Sequence, residues 1–260
     1  FRLDKLVIKS SFSYHDIEPI FCASPFMKIT KLSLYKLNKK SLKLLSYKLK
    51  YRLTELNLSK CSLSNNYMYY LSKGLCKSNI THLYLKSNKI VFDGIIYLSR
   101  VLPLTNLIVL NLFENRLGNS GINILSKYIP NCHTLRELGL SRTNIFSEGF
   151  VILCSILPST KITTLLIAQN FITQYDIEHV LLPVLPKTFI TKISWHGNMV
   201  EHHIQNKIQS EIKKMLLKNL KKQKNHNNSF QFKLFLIMLN IQMTRNDHFK
   251  NNIVLETLCN

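Results

Sequence analysis

Eight times between Leu3 and Trp195 the chain writes one short pattern, LxxLxL or a close variant: LDKLVI, ITKLSL, LTELNL, ITHLYL, LIVLNL, LRELGL, ITTLLI and ITKISW. The copies begin at Leu3, Ile29, Leu53, Ile80, Leu107, Leu135, Ile162 and Ile190, 24 to 28 residues apart. One such match arises by chance, but eight at near-constant spacing mark a repeat architecture, in which each unit buries its apolar face only against its neighbours.

A polar position repeats with the apolar ones. Eight residues after six of these starts stand Cys61, Asn88, Asn115, Thr143, Asn170 and Asn198, and two residues later Leu63, Ile90, Leu117, Ile145, Ile172 and Val200. The chain must bend away from its strand here, and backbone groups inside the bend would be buried without partners. An inward Asn, Cys or Thr can bond to them, so the six are expected to stack as a ladder. Ser11 and Leu37 hold this position in the first two repeats, so the ladder should be degraded at that end.

The second half of each unit has a different rhythm. Gly94, Leu98 and Leu102 follow at gaps of four, as do Gly121, Leu125 and Ile129, and Gly149, Leu153 and Leu157. That spacing lays one apolar stripe along a helix. Asp93, Ser120 and Glu148 suit helix starts, and Pro103, Pro130, Pro158 and Pro186 are expected to stop the helices. Strands stack about 4.8 Å apart and helices about 8–10 Å apart, so a row of such units curves, with strands on the inner side. The expected fold is α/β: a leucine-rich repeat solenoid, or horseshoe, of about eight repeats with a parallel concave sheet and convex helices.

Strand plus full helix, a period near 27–28, LxxLxLxxNxL and a glycine opening the helix resemble the ribonuclease-inhibitor-like subfamily of leucine-rich repeats. Ran GTPase-activating proteins and the sensor regions of nucleotide-oligomerisation receptors share that architecture. The resemblance runs from residue 1 to about 216 and is best over 53–200. By domain, residues 1–200 read as the repeat array and 201–224 as the last repeat helix with a basic C-terminal cap. Residues 225–260 read as a linker, NHNNS, and a tail, with an extra edge strand as the alternative.

Composition narrows the function classes. The chain is 46% hydrophobic and 19% charged, so it folds, and it has no apolar run long enough for a spanning helix. Six scattered cysteines without a CxxC pair read as reduced thiols of a cytoplasmic protein, with the nucleus as alternative. The sequons at Asn57, Asn79 and Asn227 carry little weight. The start at Phe1, with no leader before it, reads as truncated. The net charge of +21 favours acidic partners, although lysines spread over most of the chain are also simply solvated. LKNLKKQK at 217–224 could address a nucleus or touch RNA, but its lysines also suit a helix C-terminus and lack interleaved aromatics.

No P-loop, GxSxG, HExxH or GxGxxG motif occurs. His196, His202 and His203 cluster in sequence, and ordinary surface histidines are the preferred reading over a metal site. The third, fifth and seventh positions of LxxLxLxx alternate away from the core. There Glu55, His82, Tyr84, Lys86, Phe113, Glu137 and His196, with nearby Arg142, form the candidate protein-binding set, and Tyr84 and Phe113 should be largely exposed on neighbouring strands. The chain is therefore expected to be a non-enzymatic scaffold, monomeric and free of cofactor and metal, that holds a protein partner with an acidic surface; nucleic acid is the weaker partner and no membrane is expected. Two other readings stay open: a GTPase activator similar to the Ran activators, in which Arg116 or Arg142 would be tested, and a fragment of an innate-immune-type sensor.

Overall fold

The computed structural model describes residues 4–8, 15, 29–49 and 53–224. Leu3, Ser11, Cys22, Asn227, Cys259 and the expected linker and tail at 225–260 lie outside the described residues. The chain divides into two compact units, Phe1–Asn219 and Leu220–Asn260. That division falls inside the last helix.

Each LxxLxL segment gives one short strand: β1 (Lys5–Ile8), β2 (Lys31–Leu34), β3 (Glu55–Asn57), β4 (His82–Tyr84), β5 (Val109–Asn111), β6 (Glu137–Gly139), β7 (Thr164–Leu166) and β8 (Lys192–Ser194). All eight pair parallel, in chain order, in one open sheet. The register aligns Leu6, Leu32, Leu56, Leu83, Leu110, Leu138, Leu165 and Ile193 in a single row. From Leu32 to Leu165 these side chains are fully buried. They meet the second strand leucines, Leu34, Leu58, Leu85, Leu112 and Leu140, and the helix stripes in one continuous core. This is a leucine-rich repeat solenoid.

The chain leaves each strand from β2 to β8 through a left-handed residue. Lys36, Lys60, Ser87, Glu114, Arg142 and Gln169 have φ between 53° and 59°, and Gly197 has 70°. Each of the last six directly precedes a ladder residue. L-residues adopt this conformation at a cost, so the bend is imposed by the ladder bonds and the buried leucine beyond them rather than chosen by local preference.

The helices are α1 (Lys39–Lys48), α2 (Asn65–Leu75), α3 (Phe92–Val101), α4 (Gly118–Ser126), α5 (Ser147–Ile156), α6 (residues 174–184) and α7 (His202–Lys224). They form one row on one face of the sheet. Leu98, Leu102, Leu125, Ile129, Leu153 and Leu157 are buried along the stripes. The prolines do not end the helices abruptly. Pro103, Pro130, Pro158 and Pro186 each take the second position of a 3₁₀ turn, so the stripe tightens by one turn before the chain returns. Helix α6 departs from the others. Pro183 cannot donate to the carbonyl four residues back, and a π turn over Ile177–Leu181 precedes it.

Glycines at helix starts are explained by helix spacing. A Cβ on Gly149 would lie 2.5 Å from Asn119 Oδ1 and 3.0 Å from its Cα; one on Gly94 would lie 2.7 Å from Asn65 Oδ1. Beyond the last strand Trp195 replaces the usual leucine and its indole N–H donates to Gln209 Oε1 of α7 at 2.7 Å. Ile208, Ile212 and Leu216 of α7 join the core, and Asn219 Nδ2 donates to the carbonyls of Leu185 (2.9 Å) and Ile190 (2.8 Å). Asn219 thus ties α7 to the backbone on either side of the turn that precedes β8.

Candidate binding face of the sheet

The six polar bend residues are buried or half-buried, and the four asparagines among them bond in two directions. Asn88 Oδ1 accepts from the amides of Cys61 (3.1 Å) and Leu63 (2.9 Å) in the preceding repeat, while its Nδ2 donates to Leu58 and Leu85 carbonyls. Asn115 accepts from Ile90 and donates to Leu85 and Leu112. Asn170 accepts from Thr143 and Ile145, and Asn198 from Asn170 and Ile172. Cys61 Sγ donates to Leu34 O at 3.0 Å, and Thr143 Oγ1 to Leu140 O at 2.6 Å.

This ladder holds the strand ends in register and so fixes the side of the sheet opposite the helices. On that open face Tyr84 of β4 lies between Asn57 and Asn111. Phe113, just past β5, has Lys86 Nζ 4.3 Å above its ring and Arg142 Cζ at 6.0 Å. Tyr84 and Phe113 are half-buried, not largely exposed as the alternation alone suggests. Strands under 5 Å apart put long side chains against each other, so each ring is covered along its flanks by its neighbours. Burial, then the negative charge of Glu55 and Glu137, pushes the Tyr84 hydroxyl pKa up.

Charge is mixed around the pair. Glu55 is bridged to Lys31 at 2.9 Å, and the hydrogen bond and charge of Glu55 raise the Lys31 pKa. Arg142 Nη1 meets Glu114 Oε1 at 3.5 Å, and Glu114 also accepts from Ser87 Oγ. The exposed Ser87–Glu114–Arg142 chain therefore follows the left-handed corners across three repeats. His82 Nδ1 lies 2.8 Å from Thr81 Oγ1 and His196 Nδ1 lies 3.1 Å from Ser194 Oγ. His196 is at the far end of the sheet from His82. His203 meets Glu201 at 3.5 Å. Among the described residues no group of three or more His, Cys, Asp or Glu is placed to hold a metal ion, and no helix is long and apolar enough to cross a membrane.

Three structural sets escaped the sequence reading. Asn65 Oδ1 accepts from the Val91 amide (3.1 Å) and Asn119 Oδ1 from that of Phe146 (2.9 Å), which ties the start of one helix to the next. Ser78, Thr105, Thr160 and Thr188 each donate a hydroxyl to the residue three before, closing the turn after the helix. Both sets were legible as periodic small polar residues in the repeat alignment. The third is an exposed stacked pair, Phe146 and Phe171, with ring centres 4.5 Å apart.

No protein-family model matches the chain, and no curated protein matches it in sequence. Among solved structures it is similar to an internalin from Listeria monocytogenes, with 15% identity and a TM-score of 0.47 over 81% of this chain and 52% of that one. It is also similar to actin-binding site 2 of leiomodin-1, with 13% identity and a TM-score of 0.35 over 91% of this chain and 99% of that one. The chain thus spans about half the length of the internalin. The fold rests on the chain's own sheet register and helix row, since likeness at these scores does not bear on it.

Proposed function

We propose that the protein is a non-enzymatic scaffold of the ribonuclease-inhibitor-like kind that holds a protein partner on the open face of its sheet. The observation that carries this reading is the half-buried pair Tyr84 and Phe113, with Lys86 over the Phe113 ring. Aromatic rings on a rigid support gain by desolvation at little cost in ordering. Glu55, His82, Glu137, Arg142 and His196 surround or extend the pair and set orientation more than affinity. Lys86 and Arg142 beside the Phe113 ring suit a partner that brings carboxylates. The scaffold acts as a monomer, in the cytoplasm.

Site-specific photocrosslinking tests the reading. A crosslinker at residue 113 should capture one discrete partner, and the same probe at the exposed Val151 of α5 should not. Capture from 151 alone would remove the open face as the site.

A further inference from the structure

The outer faces of α1, α2 and α3 carry a second surface, independent of the sheet. Lys40, Lys43 and Tyr47 follow at helical gaps on α1, Tyr69 and Lys73 on α2, Tyr97 and Arg100 on α3, and all seven are exposed. Tyr47 is 67% exposed, Tyr69 40% and Tyr97 39%. The ring of Tyr69 packs edge-on against Tyr70 (5.3 Å) and Tyr97 (5.5 Å). Lys73 Nζ stands 4.6 Å over Tyr69 and Lys39 Nζ 5.8 Å over Tyr70. Tyrosines therefore interleave with lysines on α1 and α2 and with Arg100 on α3.

Counter-charge is sparse on this surface: α1 and α2 carry no carboxylate, and the exposed Asp93 in the first turn of α3 is the one carboxylate on the three helices. Between Lys31 and Phe92 the only carboxylate is Glu55, which lies on the sheet and is bridged to Lys31. Helix physics accounts for Lys73, in the last turn of α2, but not for Lys39, Lys40 and Lys43 of α1. Lys39 and Lys40 open α1, where the helix dipole is already positive, and the first turn has no acidic residue. Lys39 and Lys43, four apart, repel. Charge placed against the stability of its own helix is repaid by a polyanion.

The chemistry of the surface separates the classes of polyanion. Protein interfaces are depleted of lysine and enriched in arginine, whereas every cation on α1 and α2 is a lysine. Surfaces that hold single-stranded nucleic acid combine a positive track with aromatic faces for the bases. We propose that the outer face of α1–α3 binds single-stranded nucleic acid, with Lys40, Lys43 and Lys73 on the phosphates and Tyr47 and Tyr97 as base-stacking platforms. Tyr69, covered on one side by Lys73, buttresses Tyr97.

Fluorescence anisotropy with the full chain and labelled 20-residue oligouridine or oligodeoxythymidine tests this. Affinity should fall steeply with salt for either strand, and the better-bound one identifies the sugar. The double variant Tyr47→Ala, Tyr97→Ala should bind at least tenfold more weakly, while Tyr47→Phe, Tyr97→Phe should stay within twofold of the parent. Converting Lys40, Lys43 and Lys73 to Gln should make the slope of log affinity against log salt shallower by roughly 0.7 for each phosphate that is no longer neutralised. These variants and the Phe pair test the site even if the Ala pair unfolds. Absence of binding, or binding unaffected by both the Tyr→Ala and the Lys→Gln sets, would overturn the proposal. So would displacement by polyglutamate at equal charge, which would make the site one for acidic polypeptides, or equal binding of a blunt duplex.

Discussion

Asn88 accepts a hydrogen bond from the Leu63 amide at 2.9 Å, so a side chain of one repeat satisfies the backbone of the repeat before it. Asn88→Ala leaves that amide and the Cys61 amide unpaired in the core, at a cost of about 1–3 kcal/mol for an unsatisfied group. Asn57→Ala removes a half-buried amide that caps only Ser59, and should cost less. Urea melts of the two variants check the order; equal midpoints would contradict the ladder's energetic role.

The left-handed corners make a backbone prediction. Lys60 has φ 59°. Lys60→Val should destabilise by about 1–2 kcal/mol, because a branched side chain tolerates this region least. Lys60→Gly should be neutral or stabilising. A thermal melt in which glycine is the more harmful substitution would refute the account of the bend.

Helix spacing predicts that Gly149→Ala is costly. Its Cβ would lie 2.5 Å from Asn119 Oδ1, the atom that accepts from Phe146 N. Overpacking of this kind costs about 1–3 kcal/mol. Gly118→Ala also loses stability, through its φ of +61° alone, since nothing lies within 4 Å of its Cβ position. Adding Asn119→Ala to each variant should partly rescue Gly149→Ala and leave Gly118→Ala unrescued.

The buried thiols predict alkaline sensitivity. Burial pushes the Cys61 thiol up to about 11 and the Cys132 thiol up to about 12 from 9.0, and burial and then the charge of Asp176 raise Cys154 further. A group whose folded pKa is raised stabilises fully below its unfolded value. Stability should therefore fall as pH rises from about 9 towards 11–12. The double variant Cys61→Ala, Cys132→Ala should show a shallower fall, measured by urea unfolding across that range. At pH 8 a two-unit rise leaves about a hundredfold less thiolate, so Cys61 should alkylate far more slowly than half-exposed Cys76 when followed by peptide mass spectrometry.

For the open face, Tyr84→Ala with Phe113→Ala should keep cooperative unfolding and weaken partner binding at least tenfold. Loss of the fold would show that these half-buried rings are structural rather than receptive.

The strand and ladder positions were legible because they obey two constraints at once, a period near 27 residues and an alternation within it. Alternation put Tyr84 and Phe113 on the open face but did not give their burial, since the cover of Phe113 by Lys86 and Arg142, and the flanking of Tyr84 by Asn57 and Asn111, depend on lateral neighbours that alternation does not encode. The π turn at Ile177–Leu181 follows from Pro183, whose place within the helix stripe, unlike that of Pro186, went unread. The tyrosine row on α1–α3 was hidden for another reason. Tyr47, Tyr69 and Tyr97 are separated by a repeat each, and only the helix row brings them together.

The leucines from Leu6 to Ile193 keep one straight register although the repeats that carry them differ in length by up to four residues. All of that variation is absorbed on the helix side and in the return loops. A residue can be gained or lost there without moving any side chain on the sheet relative to its neighbours. One flank of the molecule is thus free to diverge by insertion and deletion while the other can change only by substitution.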